Sequence, residues 1–291
     1  MEKFESFIVT TTEDLSKNDV YHFLKASGLS NHYIKNLRKC PDSILLNGKP
    51  VGMRQKLSDK DILQILKNPI PSTELVECEG NLDIVFEDDD FLIVNKPHNL
   101  ACIPTRSHIN DNLGGQIAKY LRKEDQNFTL RILNRLDKET AGLVVVAKNV
   151  LAYKTKLNKT YYALCHNNFR IKTMTIDKGI LTITQNGINQ MKRVVSSDGK
   201  SAKTHVEVIS EKDNITLVKL KLETGRTHQI RVHLSSENHP LVGDSIYGTQ
   251  DSFNHTFLIL KQVDFTHFRT KEHISLEIDF PDDWKSLIKN P

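Results

Sequence analysis

Apolar positions along the chain follow two different periods, and the changes of period divide it. Over residues 19–38, DVYHFLKASGLSNHYIKNLR, the apolar set Val20, Phe23, Leu24 and then Ile34, Leu37 repeats at helical spacing. This predicts two short helices, with Gly28 ending the first and Ser30 capping the second. In the following SILLNGKPV, Asn47-Gly48 stands between apolar residues, which predicts a β-hairpin. A further short strand is expected at 62–66. The stretch KNPIPSTELVECEG carries two prolines and no period, and 69–80 is taken as a linker. Beyond it, LDIVFEDDDFLIVNKP gives two β-rich runs around an acidic turn. Strand patterns recur at 143–147, 160–165, 204–209, 215–222, 228–234 and 257–263, with helical segments around 112–123 and 149–158. There is no internal repeat. The fold class expected is α+β: a small N-terminal α/β domain at 1–68, then a strand-dominated mixed antiparallel sheet domain at 81–291.

Composition adds bounds. A chain of 291 residues with 38% hydrophobic content can bury one large core, or one large and one small. No apolar run approaches the ~20 residues that span a bilayer. The N-terminal MEKFESFIVTTTEDL lacks the basic-then-apolar order of a secretion signal, so a soluble cytoplasmic protein without a membrane partner is expected. Cys40, Cys78, Cys102 and Cys165 form no CxxC pair, which argues against a zinc site or a disulfide framework. Of the scattered histidines only His228 and His233 sit in a dense motif, and these lack nearby acidic or thiol ligands, so no metal is expected. The run Glu87-Asp88-Asp89-Asp90 reads as a solvated hairpin tip rather than a cation site. Charge is more informative where it concentrates. Residues 31–56 hold six basic side chains, Lys35, Arg38, Lys39, Lys49, Arg54 and Lys56, against Asp42 alone. Such a surface suits a phosphate backbone, although a solvated helix face has the same pattern.

Three segments carry candidate chemistry. In LNRLDKETAGL, an Arg-x-Asp pair runs through a Thr-x-Gly turn into an apolar strand. Asp137 there is either a turn cap paired with Arg135 or a reactive carboxylate held in place by the strand. In ETGRTHQIRVHL, polar and apolar residues alternate. Read as a strand, this puts Thr227, Gln229, Arg231 and His233 on one face and His228, Ile230, Val232 and Leu234 on the other. The polar stripe is either a site with fixed cations and donors or an ion-paired structural strand. In KTYYAL, one of Tyr161 and Tyr162 can face a pocket while the other packs.

Taken in order, NKP, R-L-D-x-x-T-x-G-L, K-x-Y-x-A-L, GKSAKTHVEV, TGRTHQIRVHL and GD-x-x-YG resemble the RluA-type pseudouridine synthases over about residues 82–280. The helix–helix–hairpin ahead of them is similar to the alpha-L RNA-binding motif. The resemblance implies a pseudouridine synthase fold and an RNA-directed isomerase that uses no cofactor. It puts the catalytic aspartate on Asp137, the active-site tyrosine on Tyr161 and the active-site arginine on Arg231. Arg135 matches an arginine that helps displace the target base. Arg226 and His228, with Lys35, Arg38, Lys39 and Lys49, are expected to contact RNA, ribosomal or transfer, bound by a monomer. In this scheme the Arg231 guanidinium keeps Asp137 ionised against burial under a base.

The chain departs from the family pattern at Asn134, where histidine is usual, at Ala141, where serine is usual, and at FLILKQV, which lacks a common His-Ala pair. None of these removes a catalytic group. A same-fold RNA-binding protein without activity is the alternative, and intact Asp137, Tyr161 and Arg231 argue against it. A glycosidase would need a second carboxylate; Glu139 is expected to point to solvent.

Overall fold

The computed structural model describes residues 4–9, 18–67, 69, 75–105, 107–123, 128–185, 188–248 and 251–288. Helices α1 (Val20–Ala26) and α2 (Asn31–Lys39) begin where Asp19 and Ser30 accept from the amides of His22 and Tyr33, satisfying N–H groups that the first turn leaves free. Strands β1 (Phe4–Ile8), β2 (Ile44–Leu46), β3 (Lys49–Pro50) and β4 (Ile62–Leu66) make an antiparallel sheet in the order β1-β4-β2-β3. Asn47 and Gly48 stand at φ 50° and 80° between β2 and β3, as a two-residue hairpin turn requires. Helices and sheet enclose a core of their own around Val20, Leu24, Ile34, Leu37, Leu63 and Ile65. The β1 strand is absent from the sequence reading. Its inward face carries Glu5, 5% exposed, beside Phe7, which packs on that core, while Ile8 is 75% exposed, so a buried charge and an exposed isoleucine blur the alternation of an ordinary half-buried strand.

The larger unit contains β5 (Ile84–Glu87), β6 (Phe91–Lys96), α3 (Leu113–Leu121), β7 (Ala141–Ala147), β8 (Asn158–His166), β9 (Thr173–Asp177), β10 (Ile180–Gln185), β11 (Ile188–Val195), β12 (Lys203–Lys212), β13 (Ile215–Leu222), α4 (Gln229–Ser236), β14 (Leu258–Thr266), β15 (His273–Glu277) and α5 (Asp282–Lys285). Nine strands form one sheet, ordered β5-β6-β7-β14-β8-β13-β12-β9, with β15 paired to β14. The β7–β14 pair is parallel and the other pairs are antiparallel. This is a strand-dominated α+β architecture. The β7 sequence AGLVVVA is buried throughout, as expected of a central strand covered on both faces. Its start depends on Gly142. At φ +114°, a Cβ there would lie 2.3 Å from the Leu260 carbonyl oxygen, so only glycine lets β14 run this close. The hairpin β10–β11 stands apart as a two-stranded ribbon.

Three sequence expectations are corrected. Residues 228–234 are not a strand, because α4 begins at Gln229 and takes up the rest of the segment. Ile230 and Leu234 pack on the main core, while Val232 packs with Ile180, Ala202 and Tyr247 beside the β10–β11 ribbon. A helix pressed between two apolar surfaces has apolar residues on both sides, and here they fall two apart, imitating a strand. The helix expected around 149–158 is a single 3-10 turn at Ala152–Lys154. The Asn149 side chain accepts from the amides of Leu151 and Ala152 and donates to Asp90, so it ties the chain into a turn. The acidic tip is not wholly solvated. Asp90 is 2% exposed and accepts two bonds of 2.8 Å from the Arg269 guanidinium. Arg269 reaches onward to Glu5 of β1, which pins the small unit to the β14–β15 turn.

Candidate active site

The loop between 131 and 141 runs into the first residue of β7 and carries Asp137. Its shape is held from three sides. Asn134, 4% exposed, donates to the Leu143 carbonyl and accepts from the Val145 amide, both at 2.9 Å. The Leu136 amide points at Cys102 Sγ, 3.3 Å away, and the Thr140 amide donates to the Asp137 carbonyl. Lys96, at the end of β6, is fully buried beneath the loop. Its ammonium donates to the carbonyls of Pro97, Leu100 and Lys138 at 2.8, 2.8 and 3.1 Å. Burial pulls its pKa down to about 8, against the nearby Glu139 and Asp137 charges.

Asp137 opens into a cavity of about 560 Å³. Arg135, Tyr161, Arg226, His228 and Arg231 line the same cavity. Elements far apart in sequence supply them: Tyr161 is on β8, and Arg231 is in the first turn of α4. Tyr161 is 7% exposed, and burial first, then the Asp137 charge, pushes its hydroxyl pKa far above the usual range, so it is neutral. Arg135 and Arg226 are exposed at the rim, and Arg226 Nε donates to the Ser201 carbonyl.

Arg231 is 0% exposed and held by Asp244, equally buried: Nε and Nη2 donate to the two carboxylate oxygens, each at 2.7 Å. Its third nitrogen, Nη1, lies 3.3 Å from Glu139 Oε2. Burial opposes the guanidinium charge, but Asp244 first, then Glu139 and Asp137, outweigh it and raise the Arg231 pKa. Glu139 therefore does not point away from the site into solvent. It faces Arg231, because the turn that presents Asp137 returns the chain toward α4 two residues later. Asp137 itself has His228 as its nearest basic partner, Nε2 to Oδ2 at 4.0 Å. The Arg231 charge reaches Asp137 through space and not through a hydrogen bond.

Four residues at the site had no role in the sequence reading, or the wrong one: Lys96, Glu139, Asp244 and Tyr247. The NKP and GD-x-x-YG strings contain three of them, so the signal was present as motif without assignment. The basic residues Lys35, Arg38, Lys39 and Lys49 are exposed on the small unit and do not line the cavity; the Arg38 guanidinium sits 5.5 Å above the Tyr21 ring. Among the described residues, no cluster of three His, Cys, Asp or Glu is arranged to hold a metal ion, and no helix is long and apolar enough to cross a membrane.

Comparison with known proteins identifies the family. The RNA pseudouridylate synthase family profile matches residues 90–236, which spans Asp137, Tyr161 and Arg231. The uncharacterized RNA pseudouridine synthase YlyB of Bacillus subtilis is 31% identical, covering 99% of this chain and 94% of that protein. Ribosomal large subunit pseudouridine synthase D of Neisseria meningitidis is 31% identical over 84% of this chain and 71% of its own length. Among solved structures, human RNA pseudouridylate synthase domain containing 1 superposes with a TM-score of 0.55 at 27% identity, covering 69% of this chain and 84% of its own. The chain belongs to the RNA pseudouridylate synthase family, in its RluA-type branch, and is an RNA-directed isomerase.

Proposed function

We propose that the enzyme isomerises a uridine of ribosomal large-subunit RNA, with Asp137 as the attacking group and the target base flipped into the cavity. One observation carries this reading: Asp137, Tyr161, Arg231 and Arg135 converge on a single cavity of about 560 Å³, a size typical of sites that enclose a small ligand. A uridine inside a helix hides its glycosidic bond, so the nucleotide must leave the stack. Arg135 at the rim fills the gap or steers the base outward. Tyr161 offers its ring to the flipped uracil, and its hydroxyl stays protonated.

The carboxylate of Asp137 attacks C6 of the uracil or C1′ of the ribose, or first removes a sugar proton. In each version the N1–C1′ bond breaks, the uracil turns, and a C5–C1′ bond forms. The C5 proton then leaves to a base or to water, and N1 takes up a proton. Atoms and electrons balance without an oxidant or an external donor. The buried Arg231, fixed by Asp244, supplies positive potential to the anionic uracil and to Asp137.

The small N-terminal unit binds the RNA backbone through the exposed Lys35, Arg38, Lys39 and Lys49. The choice of ribosomal RNA rests on the name of the Neisseria relatives. Pseudouridine mapping of total RNA from cells with and without the gene tests it. A lost site in large-subunit ribosomal RNA supports the reading, and a lost site in transfer RNA overturns the substrate. Purified D137A tests the chemistry: it should bind RNA with unchanged affinity and form no pseudouridine. Turnover by D137A would remove Asp137 as the attacking group.

A further inference from the structure

The segment between Leu241 and Gly248 does more than hold Arg231. Asp244 Oδ1, besides accepting from Arg231, accepts from the amides of Ile246 and Tyr247 at 2.9 and 3.1 Å. Ser235 donates to the Tyr247 carbonyl, and the Tyr247 ring packs with Ile180, Ala202 and Val232. Arg231 and Lys192 stand 5.4 and 5.9 Å from the ring centre. The tyrosine is therefore fixed in place by the same carboxylate that fixes the arginine.

The Tyr247 hydroxyl has two partners among the described residues. The Arg193 amide donates to its oxygen at 2.7 Å, and His228 Nδ1 lies 2.9 Å from it. An amide N–H only donates, so the single hydroxyl hydrogen is free for Nδ1. A neutral imidazole has one donor and one acceptor nitrogen. With Nδ1 accepting from tyrosine, the ring proton sits on Nε2, the nitrogen that faces Asp137 Oδ2. Burial first, and the Arg231 and Arg193 charges, hold the His228 pKa below its usual range against Asp137 and Glu139, so the ring is neutral near pH 7. His228 also sits at φ +56°, in the left-handed region, at the start of α4. Such a backbone is strained for a residue with a side chain.

We propose that Tyr247 locks His228 as the Nε2–H tautomer, making His228 a neutral donor that aims the Asp137 carboxylate, with both residues acting as positioning residues. The proposal rests on the reading of Asp137 as the attacking group. A neutral donor on Oδ2 steadies the carboxylate and leaves Oδ1 free to react. A cation at that position would form an ion pair that the attack has to break. The 4.0 Å separation exceeds a hydrogen bond, and catalytic contacts that are long without substrate commonly tighten when it binds.

The test has a spectroscopic and a kinetic arm. In the full-length protein labelled with 15N-histidine, with H228A used to assign the signal, His228 should show protonated Nε2 and bare Nδ1. In Y247F the two tautomers should mix. Protonated Nδ1 in the unaltered enzyme, or a Y247F spectrum identical to it, overturns the lock. In single-turnover assays H228A should lose ~10²-fold in rate with RNA affinity held within about threefold, the scale for one fixed donor. H228Q, which carries an amide N–H near the Nε2 position, should recover to within about tenfold of wild type, as a near-isosteric donor allows. Equal loss in H228A and H228Q overturns the donor role. D137A run alongside separates the two readings: its turnover would remove the attacking group, while the His228 tautomer would still report on the lock.

Discussion

Replacing Asp244 tests whether the site stands on a buried ion pair. Arg231 and Asp244 are both 0% exposed and joined by two bonds of 2.7 Å. Removing one partner of such a pair strands the other charge in a low dielectric, at about 3–5 kcal/mol. D244A also frees the amides of Ile246 and Tyr247, roughly 1 kcal/mol each. Glu139, 3.3 Å from Nη1, offsets part of the loss. D244A should therefore lose about 4–5 kcal/mol, much of a typical total of about 5–15. D244N keeps one acceptor oxygen and the shape, and should lose about 2–3 kcal/mol. Urea unfolding at pH 7 measures both. The pH dependence supplies an independent sign. Burial raises the Asp244 pKa, but the Arg231 hydrogen bonds and charge and the two amides outweigh it, and the net shift is downward. A carboxyl depressed in the folded state contributes stability above its unfolded pKa of about 3.9, and this is lost as pH falls through the lower folded value. The gap between wild type and D244N should thus narrow below about pH 4. A D244A protein within about 1 kcal/mol of wild type at pH 7 would refute this account, since that is the range of an exposed pair.

Other consequences are as direct. R269A cuts the bonds that join Glu5 to Asp90. Its side chain is 42% exposed, so solvent screening limits the loss to about 1–2 kcal/mol. Limited proteolysis between the two units should nonetheless speed up, and an unchanged digestion rate would exclude a fastening role. Lys96 has a folded pKa of about 8 against about 10.4 when unfolded. The unfolded chain then binds the extra proton between those values, so wild-type stability should rise relative to K96M by roughly 2–3 kcal/mol from pH 7.5 to 10. A flat difference across that range would contradict it. The exposed Lys35, Arg38 and Lys39 can be changed together to alanine with the fold intact. If each neutralises one phosphate, the slope of log K for RNA against log salt should fall by about 2–3, and an unaltered slope would move RNA binding off α2.

Local chemistry made much of this protein legible in its sequence. The cap at Ser30, the Asn47-Gly48 turn and the uniformly apolar β7 are set by neighbours a few residues away, and such signals survive without tertiary context. The family was legible because its motifs run in order along the chain, and the three residues those motifs single out, Asp137, Tyr161 and Arg231, line one cavity. What escaped depended on packing between distant segments. Asp90 looked like one more acid on a hydrated turn, yet Arg269, 179 residues later, makes its burial tolerable. Asn134 looked like a departure from pattern, and its two bonds across β7 show that a side-chain amide holds the loop there. The 228–234 alternation signalled a strand because period alone cannot tell a pleat from a helix wedged between two apolar faces. By itself, then, the sequence determined the elements with one wet face and the family to which the chain belongs. Only the tertiary structure decided the partners: Asp244 for Arg231, Tyr247 for His228, and Glu139 turned into the site. Those choices are made where charges leave water, and their energy depends on which distant residue arrives within hydrogen-bond reach.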